Sequence, residues 1–321
     1  MRKLPALIAA AGLIAVGLTA CSSGPADCTG GAPSGDASSI VTAKGDFGSA
    51  PDVDFPTPMQ APKTQRSTIV DGHGEGLITG QKAVIDMAVY NGTTGDLIEK
   101  TDYSDDVSKQ LSVVVSSTQV QKGLAKGLTC AKPGSRIAIV VPPKDAFGSA
   151  GNAGIGLSGK DDLVFVVDVK KAYLTRADGA PQPAQSGFPS VVLDHTGRPG
   201  LTIPDEKAPK TLKVAQLKKG DGRTVKKGDT VTVHYTGVVW SSKEVFDSSW
   251  ERGAPASLVA ASGADVQGGV IEGFADALIG QPVGSQVLAI IPPSKGYGDQ
   301  AQSSIPANST LVFVVDILGI G

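Results

Sequence analysis

Residues 231–237 read VTVHYTG, and residues 309–318 read STLVFVVDIL. In the first stretch Val231, Val233 and Tyr235 alternate with Thr232, His234 and Thr236; in the second Leu311, Phe313, Val315 and Ile317 repeat the same period of two. That period marks a half-buried β-strand, apolar on one face and wet on the other, and both strands are expected in one sheet. On this reading His234 belongs to the solvated face, and Trp250 and Glu251 to a solvated loop. Between the strands Val270, Phe274 and Leu278 recur at steps of four, which gives a short helix one apolar face to lay against the sheet. A sheet wrapped on one helix is an α+β arrangement.

Three further blocks lie between these two: VFDSSWERG at 245–253, VIEGF at 270–274 and PPSKGYG at 292–298. The five blocks, in this order across residues 231–319, resemble the FKBP-type peptidyl-prolyl cis-trans isomerases. The resemblance implies an enzyme that speeds rotation about X-Pro amides, a rotation whose barrier of about 18–20 kcal/mol comes from C–N resonance. No bond breaks in that reaction. Water hydrogen-bonds the planar, charge-separated amide better than the twisted one, so an apolar pocket that strips water and grips the proline ring favours the twisted form. No cofactor, metal or covalent nucleophile is called for. No triad-like motif surrounds the Ser, His and Cys residues, and His73, His195 and His234 stand far apart without ligand spacing.

Carried over position by position, the resemblance assigns apolar or aromatic walls to Tyr235, Phe246, Val270, Ile271, Phe274, Tyr297, Ile305 and Phe313, and a polar rim to Asp247 and Arg252. It implies that Phe274 forms the floor under the prolyl ring, and that Tyr297 and the backbone N–H of Ile271 hold substrate carbonyls. Asp247 would orient the twisted amide and hydrogen-bond Tyr235. Two departures from the family pattern predict an altered sequence preference: the floor, often Trp in the family, is Phe274, and a further aromatic wall position falls at Ala256. Taken singly, each Phe or Val is better read as core packing. Aromatic residues are only 5% of the chain, yet several fall at pocket positions, and Asp247 sits beside Phe246 where a core strand would not usually place a charge.

Sliding the chain against itself by about 148 residues reveals an internal repeat. APK at 61–63 returns at 208–210, KGLAKGL matches GGVIEGFADAL, PPKDAFG matches PPSKGYG, and DDLVFVVDVKKA matches STLVFVVDILGI. The fold expected is therefore two tandem FKBP-like domains, each an antiparallel β-sheet wrapped around a short α-helix. In the first copy Met87 stands for Tyr235, Ile98 for Phe246, Glu99 for Asp247, Gln121 for Ile271 and Leu124 for Phe274, while Phe147, Phe165, Val120 and Leu157 keep wall character. Residues 46–174 are thus expected to form a folded but degenerate domain with weak or no isomerase activity, serving to bind extended chains or to space the active domain from its anchor. Residues 210–321 form the isomerase domain.

Between them, residues 175–209 carry Pro181, Pro183, Pro189, Pro199, Pro204 and Pro209, a linker composition in which SVVLD and LTI could add edge strands. A chain of 321 residues accommodates both domains. A net charge of −2 without a basic patch argues against nucleic acid as a partner. Arg2 and Lys3 precede an uncharged run, residues 4–20, that ends Leu18-Thr19-Ala20-Cys21. This reads as a lipoprotein-type signal peptide, residues 1–20, with Cys21 as the lipidated residue; the alternative is an uncleaved membrane helix, for which the run is short. Acylation would anchor the protein to the outer face of the bacterial cytoplasmic membrane. Residues 21–45, rich in Ser, Gly, Ala and Asp, are expected to be a flexible tether. Outside the cytoplasm Cys28 and Cys130 could form a disulfide, or remain as two thiols.

The function expected is a membrane-anchored isomerase accelerating the folding of unfolded or nascent exported proteins with X-Pro bonds. The alternative is a non-catalytic holdase lipoprotein binding extended or proline-containing segments. The family resemblance also permits a macrolide-type ligand.

Overall fold

The computed structural model describes residues 28–106 and 109–321. The signal run at 1–20 and Cys21 lie outside the described residues. Cys28 is joined to Cys130, with the sulfurs 2.11 Å apart.

The first domain opens with a short helix, α1 (Asp36–Ser39), and a small hairpin of β1 (Thr42–Lys44) and β2 (Asp52–Asp54). Its main sheet comprises β3 (Gln65–Val70), β4 (Lys82–Asn91), β5 (Leu97–Lys100), β6 (Leu111–Val114), β7 (Arg136–Val141) and β8 (Leu163–Ala172). These run antiparallel in the order β3-β7-β8-β4-β5, with β6 on the far part of β4. Helix α2 (Lys122–Leu128) lies in the concave side, its Leu124 and Leu128 buried with Ile85, Ile139 and Phe165.

The second domain repeats the plan. After β9 (Ala180–Pro181), a hairpin of β10 (Ser190–Leu193) and β11 (Pro199–Thr202) precedes β12 (Lys213–Lys219), β13 (Thr230–Val239), β14 (Val245–Ser248), β15 (Ala256–Ser262), β16 (Gly269–Val270), helix α3 (Glu272–Leu278), β17 (Gln286–Ile291) and β18 (Leu311–Ile320). The order is β16-β15-β13-β18-β17-β12-β9, antiparallel except for the two-residue β16, which runs parallel to β15. The two sequence-predicted strands, β13 and β18, are neighbours paired from Val231↔Ile320 to Val239↔Leu311. Helix α3 packs closely because Gly273 has no side chain; a Cβ there would overlap Ile291 and Lys295.

The predicted half-buried strands are instead buried on both faces: every residue of β18 is buried, and nearly every residue of β13. The reason lies in the segments expected to be tether and linker. In the second domain Phe188, Val191, Leu201 and Ile203 cover the outer sheet face, where Val238, Leu288, Ile290, Val312 and Val314 form a second apolar layer. In the first domain Ala37, Val41, Met59 and Ala61 do the same over Ala138, Val140, Val164 and Val166. Residues 28–45 are therefore packed rather than a free tether, and residues 177–209 belong to the second domain.

Buried aspartates tie each cover down. Asp162 accepts the Ala61 N–H at 2.6 Å. Asp168 accepts the Gly48 N–H at 2.7 Å and forms a fully buried pair with Arg136, and its repeat counterpart Asp316 accepts the Ala177 N–H at 2.8 Å.

Candidate active site

Strands β13 and β18 place Tyr235 and Phe313 on the concave face. Strand β14 adds Phe246 and Asp247, and α3 adds Phe274, so that four rings enclose one cup. Phe313 stands at the centre, edge-on to Phe274 at 4.8 Å and to Phe246 at 5.5 Å, with Tyr235 at 6.2 Å. Tyr235 and Phe274 meet edge to face at 6.0 Å. Edge-to-face rings present an apolar yet electrostatically ordered wall. The cavity they bound has a volume of about 660 Å³, within the range of small-molecule sites.

Of the sequence-predicted site residues, Tyr235, Phe246, Asp247, Val270, Ile271, Phe274, Tyr297 and Phe313 line this cavity. Ile305 does not; it is buried in the domain core, supporting the cup from behind. Arg252 is also absent from the lining. It pairs with Asp247, donates to the Tyr235 hydroxyl at 3.0 Å, and lies over the Tyr235 ring at 5.5 Å. Asp247 accepts in turn from the Tyr235 hydroxyl. Burial, and then the bond to Asp247, raise the Tyr235 pKa, so the phenol stays protonated as a donor.

Sequence reasoning missed Leu258, which lines the cavity while Ala256 does not. The two lie two residues apart on β15, and the signal that could have found Leu258 was the same period of two. It also missed the 262–264 turn and Lys295, whose ammonium donates to Glu272 at 2.7 Å and to Asp276 at 2.6 Å. That fork fastens the loop bearing Tyr297 to α3. Tyr297 is 38% exposed and, among the described residues, its hydroxyl has no partner. The Ile271 N–H, just ahead of α3, likewise has no backbone acceptor. Two unspent donors thus border an apolar cup.

The expectation that His234 and Trp250 are solvated is corrected. His234 is 7% exposed, bonds Ser249 Oγ through Nδ1 at 2.9 Å, and stacks on Trp250 at 4.0 Å. Burial, helped by the Arg252 charge, pushes its pKa down to about 4. A chain turn closes over this side of β13, which strand alternation alone cannot reveal.

At the equivalent place in the first domain, Met87, Val113, Val120, Gln121 and Leu124 line a smaller cavity of about 400 Å³. Phe147 and Phe165 do not line it; Phe165 is buried in the core. Neither the aromatic cluster nor the acid–phenol–guanidinium circuit exists here, because Met87 has no hydroxyl and Glu99 forms no ion pair among the described residues.

With this geometry in view, the chain was compared with known proteins. The family model for the FKBP-type peptidyl-prolyl cis-trans isomerase matches residues 79–170 and 221–318. An FK506-binding protein of Streptomyces anulatus is 34% identical over 125 residues, 38% of this chain and 97% of that protein. A probable FKBP-type peptidyl-prolyl cis-trans isomerase of Haemophilus influenzae is 43% identical over 102 residues, 32% of this chain and 39% of that protein. The structure of the three FKBP domains of wheat FKBP73 aligns with a TM-score of 0.37 at 19% identity, covering 80% of this chain and 94% of that one. The two matched regions together span more than half of the chain: it belongs to the FKBP-type peptidyl-prolyl cis-trans isomerase family and has that family's isomerase activity.

Proposed function

We propose that the second domain carries the isomerase activity and that the first lacks it, and that the protein acts on X-Pro bonds of exported proteins while anchored through Cys21 to the outer face of the cytoplasmic membrane. The observation that carries the first part is the cup of Tyr235, Phe246, Phe274 and Phe313, closed at its rim by the Tyr235–Asp247–Arg252 circuit. A prolyl ring entering it leaves water, and the amide loses the solvation that favours its planar, charge-separated form. Asp247 sets a negative charge beside the rotating amide, and the donors of Ile271 and Tyr297 receive the substrate carbonyls. Each contact strengthens as the amide twists, which lowers the barrier without a covalent step. The same apolar volume would accept a macrolide of the FK506 type in competition with clients.

The decisive comparison is cis-to-trans conversion of short X-Pro peptides by the full chain, by Asp247→Ala and by Glu99→Ala. Asp247→Ala is expected to lower kcat/KM about tenfold or more, about 1.4 kcal/mol of barrier, and Glu99→Ala to leave it unchanged. A full rate in Asp247→Ala would remove the assignment.

The Cys28–Cys130 bond supports export, because disulfides persist in oxidising compartments. Cys21→Ala is expected to release the protein from the membrane fraction; retention there would overturn the anchor.

A further inference from the structure

A second cleft, about 540 Å³ in volume, lies between the two domains and shares no lining residue with the cup. It is built from the loop leading into β4, the segment after β8, the turn of the β10–β11 hairpin, His234 of β13 and the 250–255 turn. Gly80 and Gly253 approach closely where the loop leading into β4 meets the 250–255 turn. The cleft thus draws on residues of both domains and is a property of the assembled chain.

Its charge is one-sided. The ionisable side chains lining it are Lys82, Arg176, His195 and His234, and no carboxylate lines it. Lys82 is half-buried and, among the described residues, has no ion-pair partner; its ammonium is held by the hydroxyls of Thr232 at 3.3 Å and Ser257 at 2.5 Å, over the Tyr173 ring at 5.1 Å. Burial, and then the neighbouring Lys171 charge, lower its pKa. Two carboxylates that adjoin the cleft in sequence are engaged elsewhere. Asp194 accepts from the hydroxyl of Thr196 and from the N–H groups of residues 196–198, and Glu251 pairs with Arg198.

Arg176 donates one N–H to the His195 carbonyl at 3.2 Å, which leaves most of its guanidinium fork unspent. Positive charge in a recess walled by protein focuses potential and concentrates anions. Trp250, backed by His234, supplies a flat wall for whatever carries the charge.

We propose that this interdomain cleft binds a small oxyanion, a phosphate- or carboxylate-bearing molecule, through the forked donors of Arg176, with Lys82 adding a second positive charge to the same lining. A planar oxyanion matches the guanidinium fork and a tetrahedral one can take two of its N–H groups, so both chemistries fit one site.

Isothermal titration calorimetry of the full chain with sodium phosphate, and separately with sodium citrate, tests this against sodium chloride of equal ionic strength. Saturable heat is expected with at least one of the two and none with chloride. Phosphate alone would identify a tetrahedral anion as the ligand, and citrate alone a carboxylate. Arg176→Gln is expected to weaken binding about fivefold or more while leaving peptide isomerisation unchanged, which shows that the domain remains folded; Lys82→Gln is the second variant. Absence of saturable heat with both anions, or equal affinity in both variants, overturns the proposal.

Discussion

Gly237 carries no side chain because two aromatic rings occupy the space one would need. A Cβ there would lie 2.5 Å from Phe246 Cζ and 2.9 Å from Phe313 Cε1. Gly237→Ala is therefore expected to splay the cup, destabilising the protein by about 1–3 kcal/mol as overpacking does and abolishing most of the isomerase rate. Urea unfolding and the peptide assay read the two effects, and a variant with native activity would mean that the ring cluster tolerates displacement.

His234 gives a pH-dependent counterpart. With its folded pKa near 4 and its unfolded value near 6.5, the unfolded chain takes up a proton between those values while the folded one does not. Stability is therefore lost as pH falls from about 6.5 to 4, by at most about 3 kcal/mol. Asp162, pushed up to about 6 by burial, acts with the opposite sign over the same range, so the informative quantity is the difference between the parent and His234→Gln. The urea midpoint of the variant is expected to fall less between pH 7 and 4.5 than that of the parent; equal falls would show that His234 is not the group responsible.

At the scale of elements, the same short hairpin covers the outer sheet face of both domains, and the second hairpin sets where an active fragment can begin. A fragment of residues 199–321 lacks Phe188 and Val191 and leaves β11 without its partner, whereas 177–321 keeps the whole cover. The shorter fragment is expected to be less stable by roughly 1–3 kcal/mol, two partly buried apolar side chains, each contributing less than full burial would, and to bind a hydrophobic dye that the longer one does not. Equal urea midpoints would show that the cover contributes nothing.

This hairpin also marks how far the sequence could be read. The aromatic cup was legible because Tyr235, Phe246, Phe274 and Phe313 each fall in a separate block at pocket spacing, and the eroded first cup because Met87, Gln121 and Leu124 replace its chemistry. The covers were not legible: each strand of four residues or fewer contributes only one or two apolar side chains among Pro, Gly and Ser, which is also the composition of a linker. The continuous apolar runs at 311–315 and 287–291 did carry a sign, since a strand apolar at every position is buried on both faces.

At the scale of the whole molecule, the repeats are joined by a packed seam. Tyr173 lies against Gly319 and shares a small core with Val84 and Leu318, the Leu174 N–H donates to the Leu318 carbonyl at 3.1 Å, and Lys171 donates to the Ile320 carbonyl at 2.8 Å. The disulfide closes a loop across a sequence separation of 102 residues, and that loop holds the first domain's strands β1 to β6 and α2 but none of the second domain. In the chain-entropy view a loop of this length constrains the unfolded chain strongly, and about 2–4 kcal/mol is the usual contribution. Reduction, or Cys130→Ser, should therefore lower the unfolding free energy of the first domain by that amount. At temperatures where the chain stays folded, the proposed assignment of isomerisation to the second domain predicts an unchanged peptide rate, because the aromatic cup shares no strand with the closed loop. Two free thiols by mass spectrometry under non-reducing conditions would remove the bond, and a parallel loss of isomerase rate on reduction would show that the seam transmits the first domain's stability to the prolyl cup.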